Sequence, residues 1–429
     1  MQEIGIGLLG LGTVGSGLVR LLEKNGEFLA RKTGIRLRLR RILVRDPEKP
    51  RGVSVSRKLL TTDFEEILSD PGIQIVCELM GGLEPARTYI LRALKAGKYV
   101  VTANKAVLST YGPEVFAAAE ARGVGLFFEA AVGGGVPIVK ALRESLSANR
   151  IRRLTAIVNG TCNYILTRMT EEGLPFSEAL REAQARGFAE ADPQLDVSGA
   201  DSAHKLAILA TLAYGGFLPA EKVYTEGIET LEPLDIQFAR ELGLVPKLLA
   251  IGREEDGRVE VRVHPTLVPE THVLASVREA YNGFLLEGDF VGSVLLYGLG
   301  AGGEPTASAV AADLLDAARF LQAGARPGPI LFRDRPLEIK PLAEVESRYY
   351  FRFSAVDRPG VLSKISGILG AYEISIASVI QKGREEGGPV PIVMLTHEAR
   401  EASVRQALSE IDRLEVVTAP TRVLRILED

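Results

Sequence analysis

Two short stretches and one long one in this 429-residue chain place reactive or ligand-holding residue types at spacings that suit chemistry. The first is Gly10-Leu11-Gly12-Thr13-Val14-Gly15, which follows the apolar run 3–9 and opens a helical pattern of Val14, Leu18, Leu21 and Leu22. In a strand–turn–helix setting, the first glycine allows the tight turn and the second lets backbone approach a pyrophosphate. The third packs helix on strand, and the helix start then faces the anion with free N–H groups. The stretch therefore reads as a dinucleotide site built on Gly10, Gly12, Thr13, Val14 and Gly15; the bland alternative is a structural glycine turn. The next strand ends in Leu43-Val44-Arg45-Asp46, with Lys49 and Arg51 beyond. An acidic residue there suits a ribose 2′-hydroxyl and an arginine suits a 2′-phosphate. Arg45 comes first and favours NADP, while Asp46 leaves NAD open.

The second stretch is Thr102-Ala103-Asn104-Lys105, where a strand runs out at its carboxyl end, the place ligands occupy in open α/β sheets. Thr102, Asn104 and Lys105 are placed at the cofactor there. Lys105 is also a group able to donate to a carbonyl oxygen or move a proton, although on composition alone a surface lysine competes with that reading. The third stretch runs from Ala183 to Lys205. Asp201 and Lys205 are four apart and share one helix face, with Glu190, Asp192 and Asp196 just before. Carboxylates beside one lysine suit a substrate that carries an ammonium group and another group needing a proton. An N-cap with an acidic first turn and a surface ion pair is the competing reading.

The elements that hold these residues follow from apolar periodicity. Runs at 3–9, 35–44, 73–80, 98–104 and 124–130 read as strands, with helices between them, one over 85–97 closed by Gly97. That alternation predicts a Rossmann-type doubly wound parallel sheet over 1–133, with 303–322 returning to it as a helix. From 134 to 302 the pattern predicts an α+β substrate and dimerisation domain: a strand at 150–158, three helices, then strands around 258–266 and 283–297. The proline-rich 323–346 reads as a linker, and 347–429 as a compact strand–helix–strand–strand–helix–strand module. A net charge of −4 with both signs mixed argues against nucleic-acid or anionic-membrane partners. Cys77 and Cys162 stand alone in apolar runs, as in a reducing compartment. The four histidines show no metal-ligand spacing. With no signal-like start and no long apolar span, a cytoplasmic location is expected.

The long third stretch can be written Ala183-x3-Gly187-Phe188-Ala189-x2-Asp192-Pro193-x2-Asp196-Val197-x-Gly199-x-Asp201-x3-Lys205. It resembles the signature of homoserine dehydrogenases at every defined position. The other pieces stand in the same order as in that family: GLGTVG, TANKAVLS, Glu129 to Pro137, Asn159-Gly160-Thr161, and YGLGAGGEPTASAV. The resemblance spans residues 4 to about 320. It implies NAD(P)-linked interconversion of L-homoserine and L-aspartate 4-semialdehyde in threonine and methionine biosynthesis. The family's paired lysines fall on Lys105 and Lys205, about the reacting oxygen. Which of the two acts as acid–base stays open. Glu190 and Asp201 fall on substrate-binding positions and Asp196 lies near them, their charge suited to an α-ammonium; Gly160 and Thr161 meet the substrate's other end. Gly300, Ala301 and Gly302 correspond to a loop that returns to the cofactor. Glu129, Val132, Gly134 and Val136 correspond to a monovalent-cation site (Na+ or K+), for which a glycine-rich hinge is the bland alternative.

The C-terminal module, with Asp357-Arg-Pro-Gly360-Val361 at its first strand–helix turn, resembles an ACT domain. The resemblance implies a small amino-acid effector at Asp357, Gly360 and Val361, with threonine suggested by pathway logic, and pairing into at least a dimer (a homodimer or homotetramer). A ferredoxin-like unit that only dimerises is the alternative. Cys162, beside the presumed pocket, lacks an activating partner in sequence and reads as a pocket or core residue. The competing functions are another amino-acid or semialdehyde dehydrogenase and a non-enzymatic Rossmann–ACT amino-acid sensor.

Overall fold

The computed structural model describes residues 2–328, 337–381 and 389–428. The middle of the expected linker, 329–336, lies outside the described residues. The chain packs as two compact units that interleave along the sequence. One is Met1–Leu154, Ser202–Val223 and Ala280–Leu337; the other is Thr155–Asp201, Tyr224–Glu279 and Glu338–Asp429.

In the first unit, β1 (Gln2–Leu9), β2 (Ile35–Leu43), β3 (Leu60–Thr61), β4 (Ile75–Glu78), β5 (Tyr99–Thr102) and β6 (Leu126–Phe127) form a parallel sheet in the order β3-β2-β1-β4-β5-β6. The order reverses between β1 and β4, the place where such sheets open a crevice for ligands. β2 alternates arginine with leucine and its last two residues are fully buried, as its pattern predicts. Ile6, Leu8, Ile75, Cys77 and Val101 fill the core with Val310 and Leu314 of the helix Gly303–Ala323. The last strand is shorter than its apolar run: after Phe127 the chain turns into a 3-10 helix at Glu129–Ala131. The run 283–297 is two strands, Tyr281–Gly288 and Gly292–Leu299, paired as a hairpin.

The second unit carries a mixed sheet that continues from Leu244–Glu255 and Arg258–Pro269 into Val417–Ile426, Glu346–Val356, Pro389–Thr396 and Ile376–Gln381. The last four strands, with the helices Val361–Ala371 and Glu401–Ile411, make the expected βαββαβ module. The strand Leu244–Glu255 and the helix Pro233–Glu241 were not legible from periodicity. Pro246 and Lys247 interrupt the strand's apolar run, and the helix is only 9 residues long. Among the described residues no helix is long and apolar enough to cross a membrane.

Candidate active site

Gly10 has φ +96°, and a Cβ there would stand 2.8 Å from the Leu79 carbonyl oxygen, so only glycine lets β1 turn this close to the end of β4. At Gly15 a Cβ would meet the Gly10 oxygen at 2.4 Å, which closes the helix Thr13–Thr33 onto the turn. Gly12 is different: a Cβ there meets nothing within 4 Å. The middle glycine faces open space and the outer two face protein, the division a pyrophosphate-binding turn requires. The space is a cavity of about 810 Å³ whose lining includes Gly10, Gly12, Thr13, Arg20, Arg45, Asp46, Lys49 and Arg51. Val14 is half-buried behind the turn. Four cations face one carboxylate, and Asp46 is partly engaged, its Oδ1 accepting the Glu48 N–H at 2.9 Å. Arg20 reaches across to the Gly52 carbonyl at 3.3 Å. The residues present thus fit a dinucleotide.

The turn that carries Lys105 is held from below. Glu78, at the end of β4 and 0% exposed, accepts the Thr102 hydroxyl at 2.6 Å and the Met80 N–H at 2.8 Å. Burial pushes its carboxyl upward, against these hydrogen bonds. Thr102 Oγ1 in turn accepts the Asn104 N–H at 3.0 Å, and Asn104 caps the helix Lys105–Arg122 by accepting the Val107 N–H at 3.1 Å. The side chains of Thr102 and Asn104 thus fix Lys105 at the helix start. The same helix bends at Tyr111, two residues before Pro113. One turn after Lys105, Ser109 Oγ lies 2.7 Å from the Lys105 carbonyl oxygen and 2.7 Å from Nδ1 of His204, the neighbour of Lys205. The Ser109 hydroxyl thus bridges the Lys105 carbonyl and the His204 ring. Glu78, Ser109 and His204 carried no sequence signal beyond their polar type.

In the second unit the carboxylates gather on Asn159. Its amide nitrogen donates to Asp196 Oδ1 at 2.7 Å and to Asp201 Oδ2 at 2.8 Å, while its carbonyl caps the helix Gly160–Glu172 by accepting the Cys162 N–H at 2.8 Å. One residue thus joins two acidic groups to a helix start whose first turn, beginning Gly160-Thr161, carries no acid. Thr161 is mostly buried and its hydroxyl donates to the Phe188 carbonyl at 2.6 Å. Glu190 does not join the pair; it is exposed. Asp201 stands in the first turn of the helix Ala200–Tyr214 and Lys205 follows one turn on. Asn159 opens the stretch Asn159-Gly160-Thr161, but nothing in its residue type marks it as the junction. Cys162 is buried, and its thiol donates to the Asp196 carbonyl at 3.2 Å.

Gly134, at φ +56°, packs so closely on Gly300 that a Cβ would lie 2.5 Å from the Gly300 carbonyl. The Glu129 carboxylate is buried and accepts the N–H groups of Val139 at 2.9 Å and Lys140 at 2.7 Å, so its side chain caps the next helical turn. The Val136 carbonyl accepts the Ile138 N–H at 2.8 Å, and Val132 is fully buried. Gly302, at φ +115°, starts the helix Gly303–Ala323, and Ala301 beside it is exposed. In the C-terminal module Gly360, at φ +88°, caps the helix Val361–Ala371 with open space where a Cβ would be; Asp357 is half-buried and Val361 is buried beneath the turn.

The family model for homoserine dehydrogenase matches residues 137–315, that for the homoserine dehydrogenase NAD-binding domain matches 10–129, and that for the ACT domain matches 349–416. A homoserine dehydrogenase of Synechocystis is 46% identical over 99% of this chain and 100% of its own length. The chain belongs to the homoserine dehydrogenase family. A crystal structure of a homoserine dehydrogenase from Thiobacillus denitrificans superposes with a TM-score of 0.92 at 45% identity, covering 99% of this chain and 98% of that one. A hyperthermophilic archaeal homoserine dehydrogenase in complex with NADPH matches at a TM-score of 0.63 and 27% identity, covering 74% of this chain and 98% of its own. Homoserine dehydrogenases are NAD(P)-dependent oxidoreductases, and this one carries a C-terminal ACT domain.

Proposed function

We propose that the chain interconverts L-homoserine and L-aspartate 4-semialdehyde with NADP(H) as preferred cofactor, using Lys105 and Lys205 as its proton-handling pair. The observation that carries the reading is the Asn159 junction. It holds Asp196 and Asp201 on one side and the helix start at Gly160-Thr161 on the other. An α-amino acid presents an ammonium and a carboxylate, and this junction offers a partner for each. Lys205, one turn beyond Asp201, then falls toward the side-chain end of the same substrate. The bound nicotinamide supplies or accepts the hydride. A lysine at the reacting oxygen holds or returns the proton, and Asp201 and Asp196 fix the ammonium. Glu190, exposed, closes on the substrate from outside the pair.

NADP preference is supported by Arg20, Arg45, Lys49 and Arg51 around one cavity. The backbone around Glu129, Val132, Gly134 and Val136 holds a monovalent cation in this reading, and Gly300 to Gly302 close over the cofactor. The domain limits 1–133, 134–302 and 347–429 carry nucleotide, substrate and effector in turn. The ACT turn at Asp357, Gly360 and Val361 takes threonine as inhibitor. The chain works in the cytoplasm as at least a dimer, a reading supported by the exposed row Leu295, Tyr297 and Leu299 on one strand.

The test is oxidation of NADPH and NADH with aspartate semialdehyde, with and without threonine, for the wild type and Lys205→Ala. Turnover with NADPH ahead of NADH, and a kcat loss of about 100-fold or more in the variant with NADPH binding retained, are the expected results. Retained turnover in Lys205→Ala, or none in the wild type with either cofactor, overturns the reading.

A further inference from the structure

Arg425 is 5% exposed and forks between two carboxylates. Its Nε and Nη2 donate to Glu401 at 2.9 and 2.6 Å, and its Nη1 donates to both oxygens of Glu226 at 3.1 Å. Glu401 is itself buried and accepts the Tyr349 hydroxyl at 2.8 Å. Arg425, Glu401 and Tyr349 all belong to the ACT module, whereas Glu226 follows the short strand Tyr224–Thr225. The guanidinium also lies 5.5 Å from the Tyr224 ring, whose hydroxyl donates to Glu226. Glu226 is thus a carboxylate outside the module that this arginine grips.

What Glu226 holds in turn is backbone. Its N–H donates to the Val263 carbonyl at 2.8 Å, and the Ile228 N–H donates to the Val197 carbonyl at 2.9 Å. A Cβ on Gly227 would stand 2.4 Å from the Val197 oxygen, and one on Gly199 would stand 3.0 Å from the Glu226 oxygen. Segments 226–228 and 197–199 therefore touch main chain to main chain, with no compressible side chain between them. Asp196 precedes the second segment and Asp201 follows it by two residues, both tied to Asn159.

We propose that Glu226, gripped by Arg425, is a positioning residue for the substrate-binding aspartates. Through it the ACT module sets affinity for the amino-acid substrate without touching that substrate. This rests on the reading of Asp196 and Asp201 given above. A charge-assisted grip on Glu226 holds 226–228 against 197–199 and keeps the two carboxylates in place before substrate arrives. Loss of the grip loosens the aspartates and leaves the nucleotide cavity, which shares none of these residues, unaltered.

The experiment is steady-state kinetics of the full chain with L-homoserine and NADP for the wild type, Glu226→Gln and Gly227→Ala. The first variant removes the charge Arg425 holds. The second drives a Cβ into the Val197 carbonyl and leaves the ion pair whole. Both are expected to raise the L-homoserine KM about 10-fold, the scale of ordinary site-to-site coupling, with kcat within twofold and the NADP KM unchanged. An unchanged L-homoserine KM in both, or KM values for both substrates rising together with a loss of thermal stability, overturns the inference. A wild type that does not turn over L-homoserine ends the underlying reading instead, and this inference with it.

Discussion

Lys247 is 2% exposed on the strand Leu244–Glu255, where its ammonium donates to Asn163 Oδ1 at 3.2 Å and to the Val277 carbonyl. Burial pushes its pKa down from 10.5 to about 8; Arg278 adds to the fall and Glu171 opposes it. Below pH 8 native and unfolded chains both hold the proton, and the cost of burying the charge is constant. Between about 8 and 10.5 the unfolded chain keeps a proton that the native chain has lost, so stability rises with pH across that window. At about 1.4 kcal/mol per unit the gain is up to ~3 kcal/mol. Urea unfolding at pH 8 and pH 10.5 is expected to show this gain in the wild type and to miss it in Lys247→Met; equal pH slopes would sink the account. The same tool of burial acts on Glu78, in the opposite direction because its charge is negative. In neither residue does sequence reveal the shift, since lysine and glutamate in short apolar runs look alike whether they end up buried or wet.

At the scale of elements, the sequence was legible where one residue type has one structural use. The glycines at 10, 12 and 15 fixed a turn and a helix start, and the turn was found with those roles distributed between protein and open space. Alternation of arginine with leucine told which end of β2 is buried. The long Ala183 to Lys205 pattern gave Asp201 and Lys205 on one helix, yet not Asn159, whose role is to join residues 37 and 42 positions away. Contacts of that range leave no periodicity. Gly17 is a case of the same kind. It lies within the helix Thr13–Thr33, where glycine costs about 1 kcal/mol relative to alanine. The reason for it appears only in the packing, because a Cβ there would lie 2.3 Å from the Gly303 carbonyl. Gly17→Ala therefore trades a gain in helix propensity against a clash of backbone with side chain. A net loss of ~1–3 kcal/mol is expected, read as a lowered thermal midpoint. A stabilised variant would show that the two helices separate without cost.

At the scale of the molecule, the C-terminal module does not hang from the rest by a tether. Its last strand pairs with Arg258–Pro269, Thr266 opposite Arg425, and its strand Glu346–Val356 sends Arg352 into a buried pair. Asp235, 2% exposed, accepts Arg352 Nε at 2.6 Å and the Tyr350 hydroxyl at 3.1 Å. A chain ended after residue 345 would keep Asp235 and lose both donors; breaking a buried pair costs about 3–5 kcal/mol to the extent that the carboxylate stays shielded from water. It would also leave Thr266 and Leu267 of the strand Arg258–Pro269 without their partners Arg425 and Ile426, an invitation to pair with other chains. The truncated chain is accordingly expected to lose roughly 10 °C in thermal midpoint and to aggregate. Adding Asp235→Asn, which removes the stranded charge, should recover part of that loss in calorimetry and light scattering. A truncated chain that keeps the full-length midpoint and stays monodisperse would show the junction to be dispensable. A partial rescue would instead place the dependence on the buried aspartate.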